Sequence, residues 1–137
     1  MGKPVEKMIY GIRFQQKGLE IEQAEVFVEE GRMLSINDSV RATDTVQMPL
    51  YIWGWHAPDG FARIKYTSIT RRPDGSIARR QNNTKEIGRF DVNKDVVGNI
   101  MHFTDLDTTL PYYDCEFTFT DLGNGRSLTG TYRYKLK

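Results

Sequence analysis

Several scarcities bound the function before any motif is considered. Cys115 is the only cysteine in 137 residues, so no internal disulfide can form. With aromatic residues alternating around it, that cysteine reads as a small apolar core residue, and a reducing, cytoplasmic setting is the expectation. No apolar run approaches the ~20 residues that a helical membrane span requires. The start Met1-Gly2-Lys3-Pro4 lacks the apolar stretch of a secretory signal. Histidine is also scarce: His56 and His102 stand far apart, without metal-ligand spacing, so the sequence calls for no metal and no cofactor. Internal repeats, low-complexity runs and linkers are absent as well. At this length one domain, residues 1–137, is expected.

The formal net charge is only +1, yet it is unevenly spread. Residues 1–60 carry −3, residues 61–90 carry +6 and residues 91–137 carry −2. A basic middle between acidic ends either pairs within the fold or faces an anionic partner.

What the chain has in abundance is alternation. Apolar side chains recur with period two almost throughout and no stretch carries a helical period, which is the pattern of strands buried on one face. Met8, Tyr10, Ile12 and Phe14 share a phase in a first strand. Leu19 and Ile21 are out of phase with Ala24, Val26 and Val28, so a bulge near Gln23 would keep both sets inward. A short strand is expected from Met33 to Ile36. Val46, Met48, Leu50 and Ile52 alternate again, with Pro49 arguing for an edge position or a bulge. Arg72-Pro73-Asp74-Gly75-Ser76 specifies a tight turn and makes residues 61–83 a hairpin. Leu122-Gly123-Asn124-Gly125-Arg126 separates a second aromatic-rich pair. Further strands are expected over Glu86 to Phe90 and Asn99 to Thr104. The fold class is therefore all-β, a single antiparallel β-barrel or β-sandwich of roughly eight to ten short strands, with Tyr10, Ile12, Phe14, Val26, Val28, Ile64, Tyr66, Phe117, Phe119 and Tyr132 inward.

The N-terminal strand with Tyr10-Gly11 and the final strand with Gly130-Thr131-Tyr132 resemble those of small lipocalin-like, calycin-type barrels. The resemblance implies a barrel and carries no catalytic motif with it.

Four constellations bear chemistry. Tyr51-Ile52-Trp53-Gly54-Trp55-His56 is the densest aromatic stretch; with Tyr66 it could wall a site for a small apolar or aromatic molecule, or simply be core. His102, Asp105 and Tyr113 are the candidate catalytic set, a histidine beside carboxylates being able to act as general base. His102 and Asp105 have opposite parity, however, so a regular strand would point them to opposite faces. Asp91-Val92-Asn93-Lys94-Asp95 opens like a calcium loop but has Val96 and His102 where that loop needs glycine and glutamate, so it reads as a solvated turn. Finally, Arg71, Arg72, Arg79 and Arg80, within a basic stretch that also holds Arg63, Lys65, Lys85 and Arg89, make a ribbon tip that is polar on both faces. It either solubilises an edge or reaches a partner.

Three functional classes follow. The leading one is binding of a small apolar or aromatic ligand in a barrel, with or without a cofactor-independent cyclase or isomerase activity. The second is a noncatalytic assembly subunit that meets an acidic protein or its own copies through hairpin 63–83. The third is anionic-polymer binding, for which near-neutral charge and the lack of any nucleic-acid motif speak against nucleic acid.

Overall fold

The computed structural model describes residues 4–29, 31–35, 38–83 and 90–137, the side chains of residues 82 and 83 aside. The expected strand from Glu86 falls mostly outside the described residues, as do Lys85, Arg89 and the end of the expected Met33 to Ile36 strand. Among the described residues there is no helix, and twelve strands form. They are β1 (Val5–Ile9), β2 (Ile12–Lys17), β3 (Glu20–Ala24), β4 (Phe27–Val28), β5 (Thr45–Trp53), β6 (Phe61–Ala62), β7 (Ile64–Arg71), β8 (Ile77–Asn83), β9 (Phe90–Asp91), β10 (Val97–His102), β11 (Tyr112–Asp121) and β12 (Ser127–Lys135). The number exceeds the eight to ten read from alternation because β4, β6 and β9 are two residues each, too short to show a period.

A six-stranded antiparallel sheet runs β1-β2-β12-β11-β7-β8, and a four-stranded one runs β10-β5-β3 with β4 also on β5. The pair β6-β9 stands apart. No strand pairing joins the two large sheets into a closed barrel among the described residues. Both sheets bury alternate residues in one shared cluster, Ile12, Phe14, Phe117, Phe119 and Tyr134 from the larger and Val46, Met48, Leu50 and Met101 from the smaller. Rings fill that interior edge to face: Phe14 on Phe117 at 6.4 Å, Phe117 on Phe119 at 6.1 Å, and Tyr132 on Tyr134 at 4.8 Å.

Local chemistry explains where the expected pattern holds and where it breaks. The β3–β5 register shifts between Ile21 and Gln23, so the bulge needed to bring Ile21 and Ala24 to one face is present. Tyr10 is not inward: Tyr10 and Gly11 form the two-residue turn of the β1–β2 hairpin, both with positive φ, and Tyr10 is exposed. Residues 61–83 are not one hairpin either, because Phe61–Ala62 pairs with Phe90–Asp91 and only β7 pairs with β8. Met33 makes one isolated bridge to Phe27 rather than opening a strand. Pro49 lies in the middle strand of its sheet, not at an edge. Its carbonyl accepts from Glu25 N, at the gap between β3 and β4, and since the N and O of a strand residue point the same way, the missing donor faces that gap.

Candidate functional site

The densest aromatic stretch of the sequence sits where β5 ends. Trp53 is the last residue of β5, and Gly54, at φ +98°, turns the chain sharply. A Cβ there would stand 2.7 Å from the Gly18 carbonyl oxygen, so no other residue fits without displacing backbone. Beyond the turn Trp55 packs on Phe90 with ring centroids 5.4 Å apart. Asp121, fully buried, holds this segment to the β11–β12 hairpin: its carboxylate accepts His56 N at 2.6 Å and Gly123 N at 2.8 Å. Opposite, the Asp91 to Asp95 turn closes on itself, Asp91 N donating to Asp95 Oδ2 at 2.9 Å and Asn93 N to Asp91 Oδ1 at 2.9 Å. It is tied to the neighbouring loop by Val92 N donating to the Gly60 carbonyl.

These parts enclose an open cleft of about 290 Å³. Tyr51, Trp53, Trp55, Phe90, Val92 and Val96 give it an apolar wall, and Glu22, Asn93 and Asp95 give it polar groups. Glu22 is the extra residue of the β3 bulge, and its Oε2 accepts the Trp53 indole N–H at 2.6 Å, which fixes the ring although Trp53 is 61% exposed.

Of the residues singled out from sequence as ligand contacts, Tyr51, Trp53 and Trp55 border the cleft. The two tryptophans do not share a strand face, as parity implied. Gly54 ends the strand between them, so Trp53 stays on the outside while Trp55 turns onto Phe90. His56 lies beyond the lining, exposed, engaged through its backbone N. Tyr66 is elsewhere, inside the molecule with its ring 5.1 Å from Phe119.

The proposed acid–base set does not assemble. Tyr113 is fully buried and its hydroxyl donates to the Asp107 carbonyl at 2.7 Å, while His102 and Asp105 are exposed. Asp105, at φ +66°, belongs to the turn after β10. Burial raises the Tyr113 phenol, with the nearby Asp107 charge adding to it, so the hydroxyl is held as a structural donor. Among the described residues no three of His, Cys, Asp or Glu gather where they could hold a metal ion.

A buried polar cluster that the sequence did not announce lies between the sheets. Asn99 of β10, 2% exposed, accepts a hydrogen bond from the Tyr66 hydroxyl through its Oδ1, and its Nδ2 donates to the Tyr134 hydroxyl at 3.0 Å and to Cys115 Sγ at 3.8 Å. Desolvation pushes the Tyr66 phenol up to about 12 and the Cys115 thiol up to about 11, and raises Tyr134 well above its ordinary value. The cluster is therefore neutral and cross-links the sheets; it holds no activated nucleophile. Its signal was present in the alternation, since Asn99 shares the phase of Val97 and Met101.

The arginines of the β7–β8 hairpin are largely turned on their own chain. Arg71 donates to the Gly75 carbonyl at 3.0 Å and Arg72 to the Ile77 carbonyl at 2.9 Å, both closing the tip. Arg79 spans to the end of β10, donating to the His102 carbonyl at 2.8 Å and the Thr104 carbonyl at 2.6 Å. Arg80 is exposed.

No protein-family model matches this chain, and no curated protein matches it.

Proposed function

We propose that the protein binds a small apolar or aromatic molecule in the cleft at the end of β5. The observation that carries this reading is the convergence of Tyr51, Trp53, Trp55 and Phe90 on one cavity of about 290 Å³, with the polar groups of Glu22, Asn93 and Asp95 beside them. Ligand sites are built in this way, from apolar and aromatic walls plus a small number of orienting polar atoms. A lipocalin-like barrel would hold its ligand inside, but the interior here is occupied by the rings of Phe14, Phe103, Phe117, Phe119, Tyr113 and Tyr134. The cleft lies outside that packed cluster.

A binding role is favoured over cyclase or isomerase chemistry. Among the described residues the cleft lining has no histidine, cysteine or lysine, and no hydrogen bond joins His102, Asp105 and Tyr113. The assembly reading loses support for a related reason: three of the four arginines on which it leans are bonded to backbone carbonyls of their own chain.

Titration with N-phenyl-1-naphthylamine, a neutral apolar fluorophore, tests the reading. Saturable binding is expected, with quenching of tryptophan emission, and Val96→Trp, which fills the cleft from an exposed position, should remove it. Dye binding that survives Val96→Trp, or no saturable binding by the native chain, would overturn it.

A further inference from the structure

We infer that the occupant of this cleft is an organic cation, an aryl or alkyl group bearing a substituted ammonium; the inference rests on the ligand-binding reading above and names the chemical class. Three features of the lining select positive charge. The first is its ring content, since the faces of Trp and Tyr attract a cation within about 6 Å of the ring centroid, Trp most strongly. The second is the pair of charged side chains among the lining residues, Glu22 and Asp95, both carboxylates and on different elements, the β3 bulge and the turn before β10. The third is the indole of Trp53, whose N–H donates to Glu22 at 2.6 Å. Hydrogen bonding to an anion makes the ring more electron-rich, so Glu22 acts twice, as a counter-charge and through the ring it polarises.

No lysine or arginine among the described residues lines the cleft. Lys7 and Arg126 bond backbone carbonyls beside it, those of Ile21 and Gly54, and Lys94 lies in the turn without entering the lining. A carboxylate-bearing ligand would meet Glu22 and Asp95 with no cation among the described lining residues to offset them. A neutral ligand would use the apolar wall and hydrogen bonds to the polar groups but would gain nothing from the charge of the two carboxylates. A soft, weakly hydrated ammonium uses both wall and charge, and it loses little hydration in an open, rim-exposed cleft.

The test compares three probes of similar size by the shifts they induce in the indole N–H resonances of Trp53 and Trp55. They are benzyltrimethylammonium, its neutral near-isostere 2-methyl-1-phenyl-2-propanol, and the anion phenylacetate. The expected order is ammonium tightest by about tenfold over the alcohol, with phenylacetate weakest. The advantage of the ammonium should fall as salt rises, and it should shrink to about twofold in a Glu22→Gln, Asp95→Asn variant, in which amides keep the acceptor positions without the charge. Both substitutions are on exposed residues, and an unchanged circular dichroism spectrum confirms the fold. Equal or tighter binding of the alcohol at these indoles would overturn the cation assignment and leave ligand binding standing. An ammonium preference unchanged in the double variant would overturn it too, since the charge would then come from elsewhere. Failure of all three probes to move either indole would remove the ligand-binding reading, and the cation assignment with it.

Discussion

Cys115, Tyr66, Tyr132 and Tyr134 face the interior with hydroxyl and thiol groups that burial keeps protonated. In the unfolded chain the thiol ionises near 9 and the phenols near 10, whereas in the fold Cys115 is pushed up to about 11 and Tyr66 up to about 12. The unfolded state therefore releases protons first as pH rises. The stability linked to these groups is whole below about pH 9 and is lost as pH climbs through the folded values. Urea unfolding between pH 8 and 11 should show a midpoint that is level at first and then falls, and absorbance at 295 nm should show the buried phenols ionising only together with unfolding. A midpoint that rises above pH 9 would contradict the burial argument. At Asp121 the concern is different, because a fully buried carboxylate accepts two backbone N–H groups. Asp121→Ala leaves both donors without a partner and should lower the unfolding free energy by about 3 kcal/mol, whereas a substitution at the exposed Asp105 is expected to change it by less than about 1 kcal/mol.

Among the elements, the β7–β8 hairpin separates what alternation reveals from what it does not. Pro73 and Gly75 declare the turn and Ile64 sets the phase of β7, so the tip was legible, whereas its extent and the burial of the polar Ser68 and Thr70 were not: Phe61–Ala62 pairs with β9 instead. Nor was the role of Arg79. Its partners are the carbonyls of His102 and Thr104, 23 and 25 residues away, and backbone acceptors leave no trace in a sequence. Arg79→Gln is expected to cost about 1 kcal/mol by thermal unfolding, and Arg71→Gln or Arg80→Gln no more than about 0.5 kcal/mol each. Equal effects at all three positions would mean that the strap to β10 contributes nothing. Gly130 of β12 teaches the same lesson about packing: it pairs across from Phe117, and a Cβ there would stand 2.3 Å from the Phe117 ring. Gly130→Ala should therefore displace that ring and destabilise the fold by about 1–3 kcal/mol, although the sequence shows Gly130 only as a member of the final strand. The candidate site divides along the same line. The cluster of Tyr51, Trp53 and Trp55 could be read directly, while Phe90, Val92 and Asp95 come from a segment about 40 residues on, placed by the pairing of β10 with β5 and of β9 with β6. Glu22 enters through a bulge that alternation did locate.

For the molecule as a whole, two antiparallel sheets close over a core of aromatic rings, and the polar groups inside it are satisfied among themselves, with no buried side-chain nitrogen or oxygen lacking a partner among the described residues. In the proposed reading recognition falls to the periphery, where the cleft at the end of β5 brings together aromatic surface, a restrained turn and two carboxylates. The measurement that bears most directly on this account is a titration of protein labelled with 15N at both indoles, using N-phenyl-1-naphthylamine for the native chain and for Val96→Trp. Saturable shifts of the Trp53 and Trp55 indole resonances at one common dissociation constant are expected, and their loss when the cleft is filled. Indole resonances that stay fixed while the dye binds, or shifts that persist in Val96→Trp, would place the ligand elsewhere and contradict it.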